Sequence, residues 1–247
     1  MITGSMAAGI LLGGLAAQAE DNWTEPVPGV EWLHRTTEGE LPQDLHVVRV
    51  DLGQAGLSVQ ASRDEPGERQ ATTSSFAESV GAVVAVNGDW GSSSLPVGLS
   101  MGNGAMWNPH YDDPGIGSRW GYFACDLFGR CEAAAVPPRS ESGFELPAIT
   151  PYRYFNAVGA NGILLIDDGV RQSGCMDGCD GDSCRNPRTA VCTTEDRGEL
   201  LLMVVDGRRT GASGMTCGEV RDLAGEFGCW DAAMLDGGGS AAMWVDG

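Results

Sequence analysis

The chain contains no lysine, so its 15 basic side chains are all arginine, set against 34 aspartates and glutamates. The formal charge of -19 excludes general nucleic-acid binding, which needs a cationic footprint. An acidic surface also repels phosphorylated ligands at long range. Any phosphate site must therefore be built locally, from arginine or from backbone N–H groups. Past residue 19 there is no apolar run long enough to span a bilayer as a helix, so no stable membrane insertion of the mature chain is expected.

The first nineteen residues carry no charged side chain and include the apolar run Ala7 to Ala17, and Ala17-Gln18-Ala19 fits a small-x-small cleavage site. Residues 1–19 thus read as a signal peptide without its cationic n-region, and the protein as exported, periplasmic or extracellular. The cysteines agree with export. Cys125 and Cys131 flank a short loop, Cys175, Cys179 and Cys184 crowd one Gly/Asp-rich segment, and Cys192, Cys217 and Cys229 complete an even set. They read first as disulfides whose connectivity sequence leaves open. A zinc site of Cys175, Cys179, Cys184 and Cys192 is the second reading, at a spacing that is not a standard paired knuckle.

With 247 residues and 42% hydrophobic content the chain can bury one sizeable core. Residues 20–45 are polar and Pro-punctuated and read as an exposed lead-in, leaving 46–247 as the domain. His46–Leu52 and Leu57–Ala61 read as a hairpin, Ser75 with Glu78 as a capping box for a short helix ended by Gly81, and Ala82–Val86 as a buried strand. A long loop from Gly91 to Pro114 offers Trp107, His110 and Tyr111, either to stack on a sugar ring or to pin the loop by packing. Asp177–Asp182 has the composition of a calcium loop but not the spacing or the closing Glu of an EF-hand, so a disulfide-braced turn is the better reading.

The second half is more regular. Thr189–Thr194 and Glu199–Val205 form a hairpin around Glu195–Gly198. Thr216 and Glu219 then make a capping box for a helix with Val220, Leu223, Ala224 and Phe227 on one face and Gly228 at its end. Trp230–Leu235 is the next strand. The fold class expected is α+β, a mixed β-sheet with a few flanking helices and disulfide-braced loops. Polar groups stand at the ends of these strands: Asn87-Gly88-Asp89, Asp206-Gly207-Arg208, and Asp236-Gly237-Gly238-Gly239-Ser240, with Asn186-Pro187-Arg188-Thr189 opening another. Ligands often collect where loops converge beyond strand ends. Two or three carboxylates, two arginines and a Gly-rich turn whose N–H groups can form an anion nest suit a sugar joined to phosphate. Each Asp-Gly taken singly is an ordinary turn; the recurrence is what points to a site.

The ordered run Asn186-Pro187-Arg188-Thr189-Ala190, Val205-Asp206-Gly207-Arg208, Gly214-Met215-Thr216 and Leu235–Ser240, with Val86-Asn87-Gly88 upstream, resembles the phosphodiester glycosidase family. That family includes the lysosomal "uncovering" enzyme and exported bacterial members linked by name to exopolysaccharide. The resemblance implies a hydrolase that cleaves a sugar-1-phosphodiester at the anomeric carbon. Arg188 is then the first candidate to grip the phosphate, and Asp236 and Asp206 the carboxylates that activate water or stabilise the sugar cation, with Asp89 behind them. Asn87, Gly88, Thr189, Arg208, Gly237, Gly238, Gly239 and Ser240 are the substrate-binding candidates. No cofactor is required, though a divalent cation such as calcium between Asp236 and phosphate would relieve their repulsion. The family continues Asn-Gly with another Gly where Asp89 and Trp90 stand here. It also carries a further strand region beyond Asp246-Gly247, which implies a chain incomplete at its C-terminus. Two other readings stand beside the enzyme: a non-catalytic envelope or exopolysaccharide-binding protein on the same scaffold, and a calcium-braced structural domain.

Overall fold

The computed structural model describes residues 21–92, 95–96, 98–108, 121–135, 153–160, 163–173 and 184–246. Expectations for the signal peptide, His110, Tyr111 and the Asp177–Asp182 turn lie outside the described residues. The first half runs β1 (Trp23–Val27), β2 (Val30–Thr37), β3 (Gln43–Asp51), α1 (Thr73–Val80), β4 (Val84–Val86), β5 (Gly91–Ser92), β6 (Leu95–Pro96), β7 (Ser100–Gly102) and β8 (Ala105–Asn108). The second runs β9 (Gly121–Cys125), β10 (Cys131–Ala135), β11 (Asn156–Gly159), β12 (Ile163–Asp167), β13 (Val170–Arg171), β14 (Arg188–Thr193), β15 (Glu199–Val205), α2 (Cys217–Glu226), β16 (Asp231–Met234) and β17 (Met243–Val245).

Strands dominate, and every ladder among the described residues is antiparallel, so the expected α+β class holds only in a sheet-rich form and the sheet is not mixed. An eight-stranded sheet has the order β1-β2-β3-β15-β14-β16-β12-β13, and a five-stranded sheet the order β10-β9-β11-β7-β8. β15 and β16 both pair with β14, which makes them parallel to each other with α2 as the crossover between them.

The continuous apolar run of β15 is what burial on both faces demands. Leu201, Met203 and Val205 pack under Val220, Leu223 and Ala224 of α2. Leu200 and Leu202 face the other way, into a core shared with Phe123, Cys125 and Ala133 of the second sheet. Thr216 caps α2 as its sequence predicts, accepting from Glu219 N while Glu219 accepts from Thr216 N at 2.8 Å. The first helix is capped differently. Thr72, not Ser75, is its N-cap, and Ser75 supplies the N–H that Thr72 accepts.

The described part of the expected lead-in, residues 21–45, is not an exposed lead-in. β2 pairs with β3 along its whole length, and Val30 and Leu33 are buried in the two cores. Nor does β3 form a hairpin with Leu57–Ala61; its neighbours are β2 and β15. Leu57 and Val59 still pack into the core, but their segment bonds to a side chain instead of a ladder: Asn156 donates to Val59 O and accepts from Ala61 N. Cys125 pairs with Cys131 and Cys192 with Cys229, and Cys184 and Cys217 are disulfide-bonded as well. The zinc reading falls with them, because Cys184 and Cys192 have no thiolate to offer.

Candidate functional site

The register of the large sheet assembles the site. Arg188 lies opposite Val205 and Ala190 opposite Met234, so the start of β14 stands beside the ends of β15 and β16. The short β4–β17 pair brings a third strand end to the same place, with Asn87 following β4 and bonded to Ala242 just before β17.

Asn87 is the node. Its Oδ1 accepts from Thr189 Oγ1 at 2.7 Å and from Ala242 N at 3.1 Å, and its Nδ2 donates to Asp236 O at 2.8 Å and Gly88 O at 3.1 Å. Two donors and two lone pairs are all that an amide possesses. Asn87 therefore acts by holding β4, β14, β16 and β17 together, with nothing left to offer a ligand. Thr189, at 0% exposure, is equally internal. Gly88 completes the join, its carbonyl accepting from Asp236 N at 3.1 Å.

These bonds fix the backbone from which the Asp236 side chain springs. One carboxylate oxygen accepts from Gly237 N at 2.9 Å, and the other has no hydrogen-bond partner among the described residues. In the Gly-rich turn that follows, Gly238 N donates to Pro187 O and Ser240 N to Gly237 O. Three N–H groups of the turn, those of Gly237, Gly238 and Ser240, are thus spent inside the protein, which leaves little of the expected anion nest.

The two arginines differ sharply. Arg188 is 6% exposed, and its Nε and Nη2 donate to the carbonyls of Met215 and Cys184, both at 3.0 Å. It ties two loops together from within. Arg208 is exposed, and donates from Nε and Nη2 to Asn186 Oδ1 at 2.9 and 2.6 Å. Asn186 has a place here that its Asn-Pro position alone does not signal. Its own Nδ2 donates to Cys184 O, and its backbone pairs with Met215. Gly207 and Gly214 press flat against it: a Cβ on Gly214 would lie 2.5 Å from Asn186 O, so any side chain there would displace the loop.

Other candidates face elsewhere. The Asp206 carboxylate pairs with Arg209, which also pairs with Asp44, and no bond joins Asp206 to Asp236 among the described residues. Asp89 accepts from Trp90 N at 2.8 Å and Gly98 N at 2.5 Å, a turn-holding position. Trp107 donates to Ser62 O from β8, so its indole is a packing element.

Beyond Asp206 lies a cluster of His34, Asp44 and His46 whose nitrogen and oxygen atoms come within 4.8 Å of one another. Calcium prefers oxygen ligands and does not suit it. Nor does it fit a transition metal as arranged. Trp32 Nε1 donates to His46 Nδ1 at 3.3 Å, which leaves the ring proton on Nε2, the atom facing Asp44. The two imidazoles also stack nearly parallel, 4.3 Å between centroids, so their edges do not converge on one point.

Residues 130–247 match the sequence model of the phosphodiester glycosidase family. This segment contains every motif from Asn186 to Ser240. A curated relative, the SPbeta prophage-derived uncharacterized protein YomE of Bacillus subtilis, is 30% identical over 177 residues, 71% of this chain. The chain spans about a quarter of that relative's length, 26%. The catalytic domain of zebrafish N-acetylglucosamine-1-phosphodiester alpha-N-acetylglucosaminidase, auto-inhibited by its pro-peptide, is similar in fold, with TM-score 0.62 and 18% identity over 90% of this chain and 75% of that one. A hypothetical protein from Synechocystis has TM-score 0.60 and 16% identity, covering 93% of this chain and 60% of its own. A putative exported protein from Burkholderia pseudomallei has TM-score 0.59 and 17% identity, covering 83% and 69%.

Two outcomes follow from this geometry. Asn87→Ala strands the buried Thr189 hydroxyl and removes four hydrogen bonds, and is expected to lower stability by about 2 kcal/mol or more in urea unfolding. An unchanged midpoint would show that the strand ends are held by other means. Separately, burial, and then the adjacent His34 ring, depress the pKa of His46 against the pull of Asp44 and Asp206. A histidine so depressed contributes full stability above its unfolded pKa of about 6.5 and loses it as pH falls through the lower folded value. The melting temperature should therefore drop between pH 7 and pH 5, and less steeply in His46→Gln; equal slopes would contradict the assignment.

Proposed function

We propose that this protein hydrolyses sugar-1-phosphodiesters, breaking the bond between the anomeric carbon and the phosphodiester oxygen. Water supplies the new hydroxyl on the sugar, and the bridging oxygen leaves with a phosphomonoester. The match of residues 130–247 to the phosphodiester glycosidase family model supports the reaction class. The observation that carries the site is Asp236, a carboxylate on a backbone fixed from four strands with one oxygen uncommitted among the described residues.

The chemistry asks for little acid. A departing phosphate gains its second negative charge with a pKa of about 6, so it leaves without strong protonation. What the reaction needs is a carboxylate on the sugar side, to attack the anomeric carbon or to take a proton from water. Asp236 is that group in this reading. Asp206, bound to Arg209, and Arg188, bound to carbonyls, are assigned supporting roles: the first sets the Arg209–Asp44 side of the loop, the second holds the floor beneath Gly237. Asn87, Gly88 and Thr189 hold the strand ends on which the substrate groups stand. Gly237, Gly238, Gly239 and Ser240 form the turn that borders the substrate. Disulfides agree with an exported enzyme, in the periplasm or outside the cell, acting on a glycan that carries such a phosphodiester. No helix among the described residues is long and apolar enough to cross a membrane.

The test is sugar release from a panel of sugar-1-phosphodiesters by the oxidised protein, with and without EDTA. Turnover in the parent and a loss of a hundredfold or more in Asp236→Asn, at an unchanged melting temperature, is the expected result. Undiminished turnover in Asp236→Asn would remove its role. Saturable glycan binding with no turnover by the parent would replace the enzyme reading with the binding one, and loss with EDTA would add a cation to the site.

A further inference from the structure

We infer that Arg208 is the phosphate receptor of the site, and that Asn186 orients it while leaving its charge intact. Acids outnumber bases by 34 to 15 in this chain, and most of its described arginines sit against a carboxylate, among them Arg35, Arg49, Arg197 and Arg209. Arg208 pairs with no carboxylate among the described residues. The acid nearest in sequence, Asp206, is taken up by Arg209 together with Asp44. Arg208 is instead held by a neutral oxygen. Asn186 Oδ1 receives both Nε and Nη2 on one edge of the guanidinium, and the Asn186 amide is itself oriented by its Nδ2 bond to Cys184 O at 3.1 Å. The Nη1 side of the fork is left for an anion, and an Arg–phosphate pair uses two parallel N–H bonds.

Two backbone features agree. Arg208 adopts φ +60°, a conformation non-glycine residues rarely take, and its side chain reaches the Gly-rich turn at Gly238. The guanidinium lies flat on Gly238, where a Cβ would come 3.1 Å from Nη2 and 3.4 Å from Nη1. Glycine at 238 is thus what lets the cation lie on the turn two residues from Asp236. Cation and carboxylate thus adjoin one Gly-rich turn, which suits an ester with phosphate at one end and a sugar at the other. That the ester is a glycosyl one rests on the reaction proposed above; that the site takes a phosphate does not.

The experiment is calorimetric titration of inorganic phosphate, at low ionic strength, into the oxidised parent, Arg208→Gln, Asn186→Asp and the control Arg171→Gln. Asn186→Asp keeps an acceptor for Arg208 but cancels its charge, so it separates positioning from neutralisation. Saturable binding by the parent and the control, weakened about tenfold or more in both Arg208→Gln and Asn186→Asp, is the expected pattern. Equal binding by all four proteins, or none by the parent, overturns the proposal. If Asn186→Asp does not fold, Arg208→Gln decides alone. A parent that binds phosphate in this pattern yet cleaves no sugar-1-phosphodiester keeps the receptor and discards the reaction.

Discussion

The fold positions its candidate site residues through one side chain. The Asn87 amide is saturated by hydrogen bonds to Thr189, Ala242, Gly88 and Asp236, so four strand ends that are distant in sequence are locked at one point. Leaving the buried Thr189 hydroxyl unpaired would cost more than a formed bond contributes, so the lock is specific as well as stabilising. Everything proposed for Asp236 depends on it, because the carbonyl of Asp236 is one of the four partners.

Charge sets the second constraint. In so acidic a chain a cation left alone is a scarce resource, and the structure distributes its arginines accordingly. Arg188 is spent on carbonyls inside the protein, Arg209 on Asp44 and Asp206, and Arg197 on the buried Asp231. Arg208 is tethered by an amide instead. A neutral tether holds a guanidinium in place at no cost to its field, which matters most where long-range repulsion works against an anionic ligand.

Much of the C-terminal half was legible in the sequence because its signals are local. The capping box of Thr216 and Glu219, the double-sided apolar run of β15 and the Asp-Gly strand ends all depend on neighbours a few residues away. The early strands were not legible. β1 and β2 carry little alternation, and their place is decided by the pairing of β2 with β3 and of β1 with β2, which sequence does not display. Leu57-Ser58-Val59-Gln60-Ala61 misled in the opposite way: it alternates as a strand should, yet packs as an extended segment bonded to Asn156. In the site, motifs marked which residues gather but not which face outward. Arg188 and Arg208 look alike in sequence, and only tertiary acceptors at Met215, Cys184 and Asn186 tell the buried strut from the exposed cation.

The bond of a sugar-1-phosphodiester that is broken separates a glycosidase from a phosphodiesterase, and isotope placement reads this directly. Hydrolysis in water enriched in oxygen-18, followed by mass spectrometry of the phosphomonoester, is the decisive measurement. Attack at the anomeric carbon leaves the phosphomonoester unlabelled, and this is the expected result. Oxygen-18 in the phosphate would mean attack at phosphorus, and would contradict a glycosidase built around Asp236.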